Sequence, residues 1–556
     1  MVAINRKSEC VKRLEALRQE NQAFIPAYKD LSKYIAPKRG RFDESRSAIG
    51  QMIDHKTILD GHATRACEIL ASGLSSGMTN KSQEWFKPVM EDPELSARPH
   101  VRRWLDQVQK ILLSVCEGSN IYGVFYSIYK ELGIFGTGCY IINEDFDEVI
   151  RARSFTAGEY YLGADDKGRI NTFARKFWMQ VGQVVETFGL ESCSMRVKAD
   201  YQNNQVDRWV LICHLIEPND DRFPGFVDVK NMAYRSCYWE SGEGTDQFLA
   251  IRGYRRFPVV APRWETTTTD QVYGYGPGWN LLGDVKQLQK TVLDKLLAQE
   301  KLHNPPMQAD GSVEGSVNLL PGGISRTSAT TPNAGLKPAY QIDPRLDSFI
   351  ELINGLKDAI DRYYFVNLFL MLMNVDKTNM TATEVAERQQ EKVMMMGPIL
   401  HKLDEEMLTP TLEIIFDICQ ENGLIPEPPP EIQGMKVKIQ YISILAQAQR
   451  AIGVSAIQRT LGLASEIVAA TANPAAMEVI DLDEVIREVA DLEGMPAKLL
   501  KDPQALAAER QQRAQMQQAA AATEMANSAA DTTKKLADSK MGQGSALDGI
   551  MQGVAA

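Results

Sequence analysis

Gly73-Leu-Ser-Ser-Gly77 matches GxSxG, the pattern in which a serine on a tight turn serves as the nucleophile of an acyl hydrolase. Ser75 would be that nucleophile, but the chemistry needs a strand before the serine and a helix after it. A helical pattern leads into the motif and a polar run, Met78 to Gln83, follows. A helix end with glycine caps accounts for it better. Gly274-Tyr-Gly276-Pro-Gly278 resembles a dinucleotide loop only superficially, because the third-glycine spacing is missing and a proline interrupts it. It predicts a flexible joint leading into a helix. No GxxxxGKS/T phosphate loop is present, and the six histidines (55, 62, 100, 214, 303, 401) form no HExxH and no cluster with cysteine. No cofactor and no metal are therefore expected. Asp165-Asp166 and Asp220-Asp221 read as solvated turns and not as acid/base pairs. Lys38, Arg39 and Arg41 form a basic cluster with two readings, a contact patch for phosphates or an acidic partner, and a solvated surface stretch. The chain is not expected to be an enzyme, with a serine hydrolase at Ser75 as the alternative.

The elements that would position such residues are mixed. The chain has 556 residues, of which 44% are hydrophobic and 24% charged, enough for several packed units. Its net charge of -11 argues against a general phosphate-binding surface. The eight cysteines are scattered without CxxC pairs, which suggests reduced thiols in a cytosolic compartment. The N-terminus lacks the apolar core of a signal peptide, and the greasiest run, Tyr364 to Met373, is shorter than the ~20 residues of a membrane span, so no membrane association is expected.

Apolar residues at three-and-four spacing predict a helix over residues 5–35, disturbed at Pro26, a second ending at Gly73–Gly77, and a third over 99–131. From Cys139 to Trp264, β-branched and aromatic runs broken by turn residues predict an antiparallel β region, with a hairpin loop at Ala164–Gly168. A long helix then runs to about His303 and stops at Asn304-Pro-Pro306. After a Gly/Ser/Thr/Pro-rich excursion over 305–343, a second long helix starts at Asp343-Pro344 and reaches about Met373. Its oily stripe is Phe349, Ile353, Leu356, Ile360 and Tyr364, and its polar stripe is Asp347, Glu351, Asn354, Asp358 and Asp361. A polar break, residues 374–380, precedes a capping box at Thr381–Glu384 and further helix to about Asn422, with prolines at 398 and 410. No aromatic residue follows Tyr441, which marks the remainder as a separate helical unit.

Several stretches together resemble the portal, or head-to-tail connector, proteins of short-tailed bacteriophages. They are Tyr34–Asp43 (YIAPKRGRFD), Ile69–Lys87 (ILASGLSSGMTNKSQEWFK), Phe257–Glu265 (FPVVAPRWE), Val272–Thr291 (VYGYGPGWNLLGDVKQLQKT), Asn304–Gln308 (NPPMQ), Met380–Gln389 (MTATEVAERQ) and Asp481–Lys501 (DLDEVIREVADLEGMPAKLLK). Their order and spacing, more than any one of them, carry the resemblance. It implies an α+β, mainly helical subunit of a dodecameric ring, with wing, two-helix stem, small clip insertion and helical crown. By that analogy the wing is 1–275, the stem helices 276–304 and 344–373, the clip 305–343, the channel loop and further wing helices 374–435, and the crown 436–504. An Ala/Gln-rich tail, 505–556, either helical or disordered, lies outside the resemblance.

The resemblance further implies a virion protein at one capsid vertex, assembled in the host cytoplasm. Double-stranded DNA would pass through its channel during packaging and ejection. Partners would be the large terminase subunit, tail adaptor or nozzle proteins, major capsid and scaffolding proteins, and internal core proteins. In such a ring Asp347, Glu351, Asn354, Asp358 and Asp361 would face the channel, joined by Asn374, Asp376 and Lys377 of a loop with the place of a valve. Twelve copies of a chain at -11 carry -132 formal charges, which makes the ring largely anionic.

Overall fold

The computed structural model describes residues 6–43, 58–373 and 395–442, less 224, 227, 243–246 and parts of 311–345, together with 457, 460–466, 480–492, 506, 509–513 and 515–516. The architecture is mixed α+β, about half helical. Two units divide the chain, residues 1–449 and 450–556.

The first unit opens with α1 (Arg6–Gln22) and α2 (Ile25–Tyr34), which Pro26 separates by taking a place in the first turn of α2, where a missing N–H costs nothing. Next comes α3 (His62–Met78), strand β1 (Phe86–Met90), and helices α4 (Pro93–Ala97), α5 (Pro99–Gly118) and α6 (Ile121–Phe135). The single helix expected over 99–131 is thus two helices meeting at Ser119-Asn120. The helix expected to end at Gly73–Gly77 ends one residue later, at Met78, but its glycines lie inside α3 and Thr79, not a glycine, caps it. Its small residues serve packing. A Cβ on Gly73 would sit 2.0 Å from the Phe369 ring, so only glycine lets that ring lie on the helix.

The β region is antiparallel, as its turn-punctuated runs suggest. Strands β2 (Cys139–Asp145) and β3 (Val149–Phe155) pair with each other and with β9 (Val259–Val260) in the order β3-β2-β9. Strands β4 (Tyr161–Ala164), β5 (Ile170–Gln180), β6 (Trp209–Pro218), β7 (Tyr234–Glu240) and β8 (Ala250–Tyr254) form a second sheet in chain order, with α7 (Val181–Phe188) and α8 (Met195–Gln202) inserted between β5 and β6. Asp165 builds the β4–β5 turn by accepting from the N–H groups of Lys167 and Arg169. The continuous apolar run of β6 reflects burial on both faces. Cys213 and Leu215 face α1, while Ile212 and Ile216 point the other way into separate clusters.

Helix α9 (Pro277–His303) leaves this body, and α10 (Leu346–Tyr363) and α11 (Val366–Met373) return to it. The uninterrupted second long helix expected to Met373 is broken. Phe365 takes a left-handed backbone, φ +54°, which ends α10 and redirects α11 so that Phe369 reaches Gly73. Between α9 and α10, β10 (Met307–Ala309) pairs with β13 (Leu336–Pro338), and β11 (Val313–Glu314) with β12 (Arg326–Thr327). Residues 395–403 (α12), a π turn at Asp404–Leu408 and α13 (Thr409–Glu421) follow without a break at Pro398 or Pro410. Pro410 has no N–H for the carbonyl four residues back, and the preceding turn widens instead of ending the helix. The π turn aims Glu406 at buried Arg263, with contacts of 2.6 and 3.1 Å. Strand β14 (Val437–Tyr441), in a stretch expected to be helical, pairs antiparallel with β1. In the second unit, residues 460–466 (α14) and α15 (Leu482–Leu492) are helical, and the Asp481 carboxylate caps α15.

The main core joins α2, α3, α5, α6, the root of α9, α10, α11 and α13. One crossing is unusually close. A Cβ on Gly276 would lie 2.3 Å from the Leu132 carbonyl oxygen, and one on Gly136 (φ +84°) 2.3 Å from the Gly276 nitrogen. The expected flexible joint at Gly274–Gly278 is therefore a tight backbone-on-backbone contact.

Gly276→Ala should destabilise the protein by about 3 kcal/mol or more, because backbone and not a yielding side chain blocks the new methyl. Gly283→Ala, with open space around it, should be neutral or stabilising by about 0.5–1 kcal/mol. Thermal unfolding of the two variants checks the pair. Burial, reinforced by the Glu405 carboxylate, pushes Asp404 up to about 7. Its protonated form favours the fold, a contribution complete below the ordinary value of 3.8 and lost as pH rises through about 7. The melting-temperature gain of Asp404→Asn over the parent should grow from about pH 5 to about pH 8.

Candidate functional site

The paired long helices α9 and α10 are the most distinctive device of the chain. At ~1.5 Å per residue the 27 residues of α9 extend about 40 Å. Its first half is embedded through Leu281, Val285 and Leu288, and Trp279 donates from its indole N–H to the Phe135 carbonyl at 2.8 Å. Its second half emerges, leaving Leu293, Leu296, Leu297 and Leu302 exposed. On the return, Ile350, Leu352 and Tyr363 are exposed as well, while Ile353, Leu356 and Ile360 are buried as the oily stripe requires.

The root of this hairpin is clamped by residues 59–62. Gln289, buried on α9, accepts from the N–H groups of Leu59 (2.7 Å) and Asp60 (2.9 Å) and donates to the Asp60 carbonyl (2.8 Å). From α10, Lys357 reaches the Asp60 carboxylate at 2.7 Å and Asp361 meets His62 Nε2 at 2.8 Å. Burial opposes the charge on Asp60, yet the Lys357 ammonium and the His62 N–H hold its carboxyl below the ordinary value. Lys286 of α9 adds a 2.6 Å contact to Asp30 of α2. Sequence reasoning missed this clamp. The available signal was Gln289 itself, a polar residue four positions after Val285 on an otherwise apolar stripe.

The residues expected to face a channel divide into three groups. Asp347, Glu351, Asn354 and Asp358 are exposed on α10. Asp361 is half-buried and turned toward His62, so it belongs to the clamp and not to an open acidic face. Asn374, Asp376 and Lys377, with the capping box at Thr381–Glu384, lie outside the described residues.

The basic cluster is corrected too. Arg39 binds buried Glu131 at 2.7 Å and the Ser127 carbonyl at 3.1 Å, and Arg41 binds Glu159 at 2.5 Å. Burial raises Glu131 above the ordinary carboxylate range despite Arg39, Thr156 and the Ala157 N–H, so this carboxylate needs its cation. Only Lys38 of the three is exposed. Ser75 lies within α3, where its carbonyl accepts from the Thr79 N–H, a setting that is not strand–turn–helix. Among the described residues no three His, Cys, Asp or Glu side chains are grouped to hold a metal. No single described helix is long and apolar enough to cross a membrane.

A hairpin of long helices with unburied leucines and an acidic outer stripe has no catalytic arrangement to offer, and relatives identify its setting. The family model for the bacteriophage head to tail connecting protein matches residues 7–500. The chain belongs to this family of phage portal proteins. It is 37% identical over 521 residues to the "Probable portal protein" of Bordetella phage BPP-1, covering 94% of this chain and 93% of that one. It is 36% identical over 550 residues to the "Portal protein" of Salmonella phage epsilon15, covering 99% and 98%. Among solved structures, a chain from the virion of a native gene transfer agent particle aligns over 78% of this chain and 90% of its own, at 11% identity and TM-score 0.35. As a portal protein the chain is a structural, non-enzymatic virion component at the head–tail junction, and the family implies a ring associated with capsid and tail.

Replacing Gln289 by Leu keeps the apolar stripe but strands the N–H groups of Leu59 and Asp60. A loss of about 1–3 kcal/mol is expected, read as a lowered unfolding midpoint, with Gln289→Glu recovering part of it through its remaining acceptor oxygens.

Proposed function

We propose that the chain forms a dodecameric ring whose subunits pack through the emerging halves of α9 and α10 around a channel for double-stranded DNA. The observation that carries this reading is the run of exposed leucines, Leu293, Leu296, Leu297 and Leu302, on a helix whose root is held in the core by Leu281, Val285 and Leu288. Apolar surface of that extent on a projecting hairpin calls for burial against a neighbouring copy.

In this arrangement Asp347, Glu351, Asn354 and Asp358 line the channel. A carboxylate wall repels phosphates, so DNA slides past instead of binding. The strands between α9 and α10 form the clip that docks the ATP-driven terminase, and later the tail adaptor proteins. The chain supplies the conduit and the docking ring, and the motor's ATP hydrolysis supplies the work.

Native mass spectrometry with negative-stain imaging tests the ring. Twelve copies of the 62.0 kDa chain should appear as particles of about 744 kDa with a central hole. Leu296→Asp with Leu297→Asp should abolish the rings while leaving the monomer's unfolding midpoint within a few degrees of the parent. Rings that persist in this double variant would overturn the proposed interface.

A further inference from the structure

A cleft of about 910 Å³ opens beside α1 and α2, walled by β3, β5 and β6. Its charge runs against that of the chain, which carries -11. Five lining side chains are cationic (Arg18, Arg41, Arg153, Arg175, Lys176) and two are acidic (Asp43, Glu159). Internal pairs account for part of this excess. Glu15 takes Arg18 at 3.3 Å and Lys176 at 2.9 Å, and Glu159 takes Arg41.

Arg175 stands apart. It is only 8% exposed and has no carboxylate partner among the described residues. Its guanidinium lies 4.1 Å from the Phe177 ring centroid and 5.0 Å from that of Phe155, and its Nε donates to His214 Nδ1 at 3.4 Å. Burial and the two cations Arg175 and Arg252 hold His214 well below its ordinary value, so it is neutral. Its Nε2–H then donates to Ser236 Oγ at 2.9 Å, which fixes the tautomer and turns Nδ1 toward the arginine. Burial, with Arg153 adding to it, lowers Arg175 to about 10, which still leaves it charged at neutral pH. The remaining guanidinium N–H groups have no described partner, on a side chain that lines the cleft. A planar fork of donors held between two rings is preset for a carboxylate or phosphate. Arg153, exposed on β3 of the other sheet, lines the same cleft and also makes no ion pair among the described residues.

We propose that this cleft docks an acidic peptide segment of a partner protein, one carboxylate pairing with Arg175 and another with Arg153. Two features favour a peptide over a nucleic acid. Asp43 and Glu159 share the cleft, and a phosphodiester chain would bring a charge past them at every unit, whereas a peptide can set neutral residues there. The exposed amides of Gln22 and Gln183 in the lining suit the alternating donors and acceptors of a peptide backbone.

The test is fluorescence anisotropy of the full chain with a labelled decapeptide of alternating glutamate and glycine. A glutamine–glycine decapeptide, a ten-residue thymidine oligonucleotide and inorganic phosphate serve as comparisons. The acidic peptide should bind saturably and at least tenfold more tightly than its glutamine counterpart. Arg175→Lys, which keeps the charge and loses the fork, and Arg153→Gln, at an exposed position, should each weaken it at least fivefold. Arg153→Gln preserves the test if the buried variant does not fold. Absence of peptide binding, equal affinity for the glutamine peptide, or unchanged affinity in Arg153→Gln would overturn the proposal. Displacement of the peptide by the oligonucleotide or by phosphate at lower concentration would overturn it in favour of a phosphate site.

Discussion

Where α6 ends at Gly136 and α9 begins at Pro277, two backbones touch, and the direction in which the long helix leaves the body is set at that contact. Gly274 donates to the Thr137 hydroxyl at 2.8 Å, Trp264 donates to the Gly136 carbonyl at 2.9 Å, and Trp279 reaches the Phe135 carbonyl. Three glycines, the end of the most buried helix and the start of the most projecting one therefore meet in one place. A side chain there would push α9 off the core. The clamp at residues 59–62 works about three turns further along α9, fixing both helices of the hairpin to a common loop.

Charge is distributed with a consistent logic around this frame. Positive residues crowded in the sequence are mostly consumed by internal carboxylates: Arg39 by Glu131, Arg41 by Glu159, Arg263 by Glu406. These pairs are buried or half-buried, so removing one partner would strand a charge in a poor solvent for it. Asp347, Glu351 and Asp358, left facing water on α10, make no ion pair among the described residues.

The long helices, the antiparallel region and the acidic stripe were legible because periodicity over many residues averages out local exceptions. Single-residue events were not. Phe365 breaks a helix through a left-handed backbone that its residue type does not announce. The π turn before Pro410 carries the helix past the proline by widening one turn, an adjustment that the residue pattern does not announce. Strand β14 is short and depends on a partner, β1, that lies hundreds of residues earlier, and a local pattern cannot report such a partner. The site shows the same divide. Exposed Asp347, Glu351, Asn354 and Asp358 follow from helical phase, whereas Asp361, one turn on from Asp358, is claimed by His62 from another helix. Arg39 and Arg41 read as surface cations because the carboxylates that hold them are distant in sequence.

The pairing of Met307 with Pro338 has a consequence for how such chains vary. It closes the excursion at its neck, so that β11 and β12 lie within a loop tied off by two short strands. Closure entropy grows only with the logarithm of loop length, so doubling the number of residues between β10 and β13 would cost about 0.6 kcal/mol. A lineage can therefore lengthen, shorten or rewrite the segment almost without thermodynamic penalty to the body. The insertion between α9 and α10 is in this sense free to evolve, while the glycine crossing at the other end of α9 tolerates hardly any change.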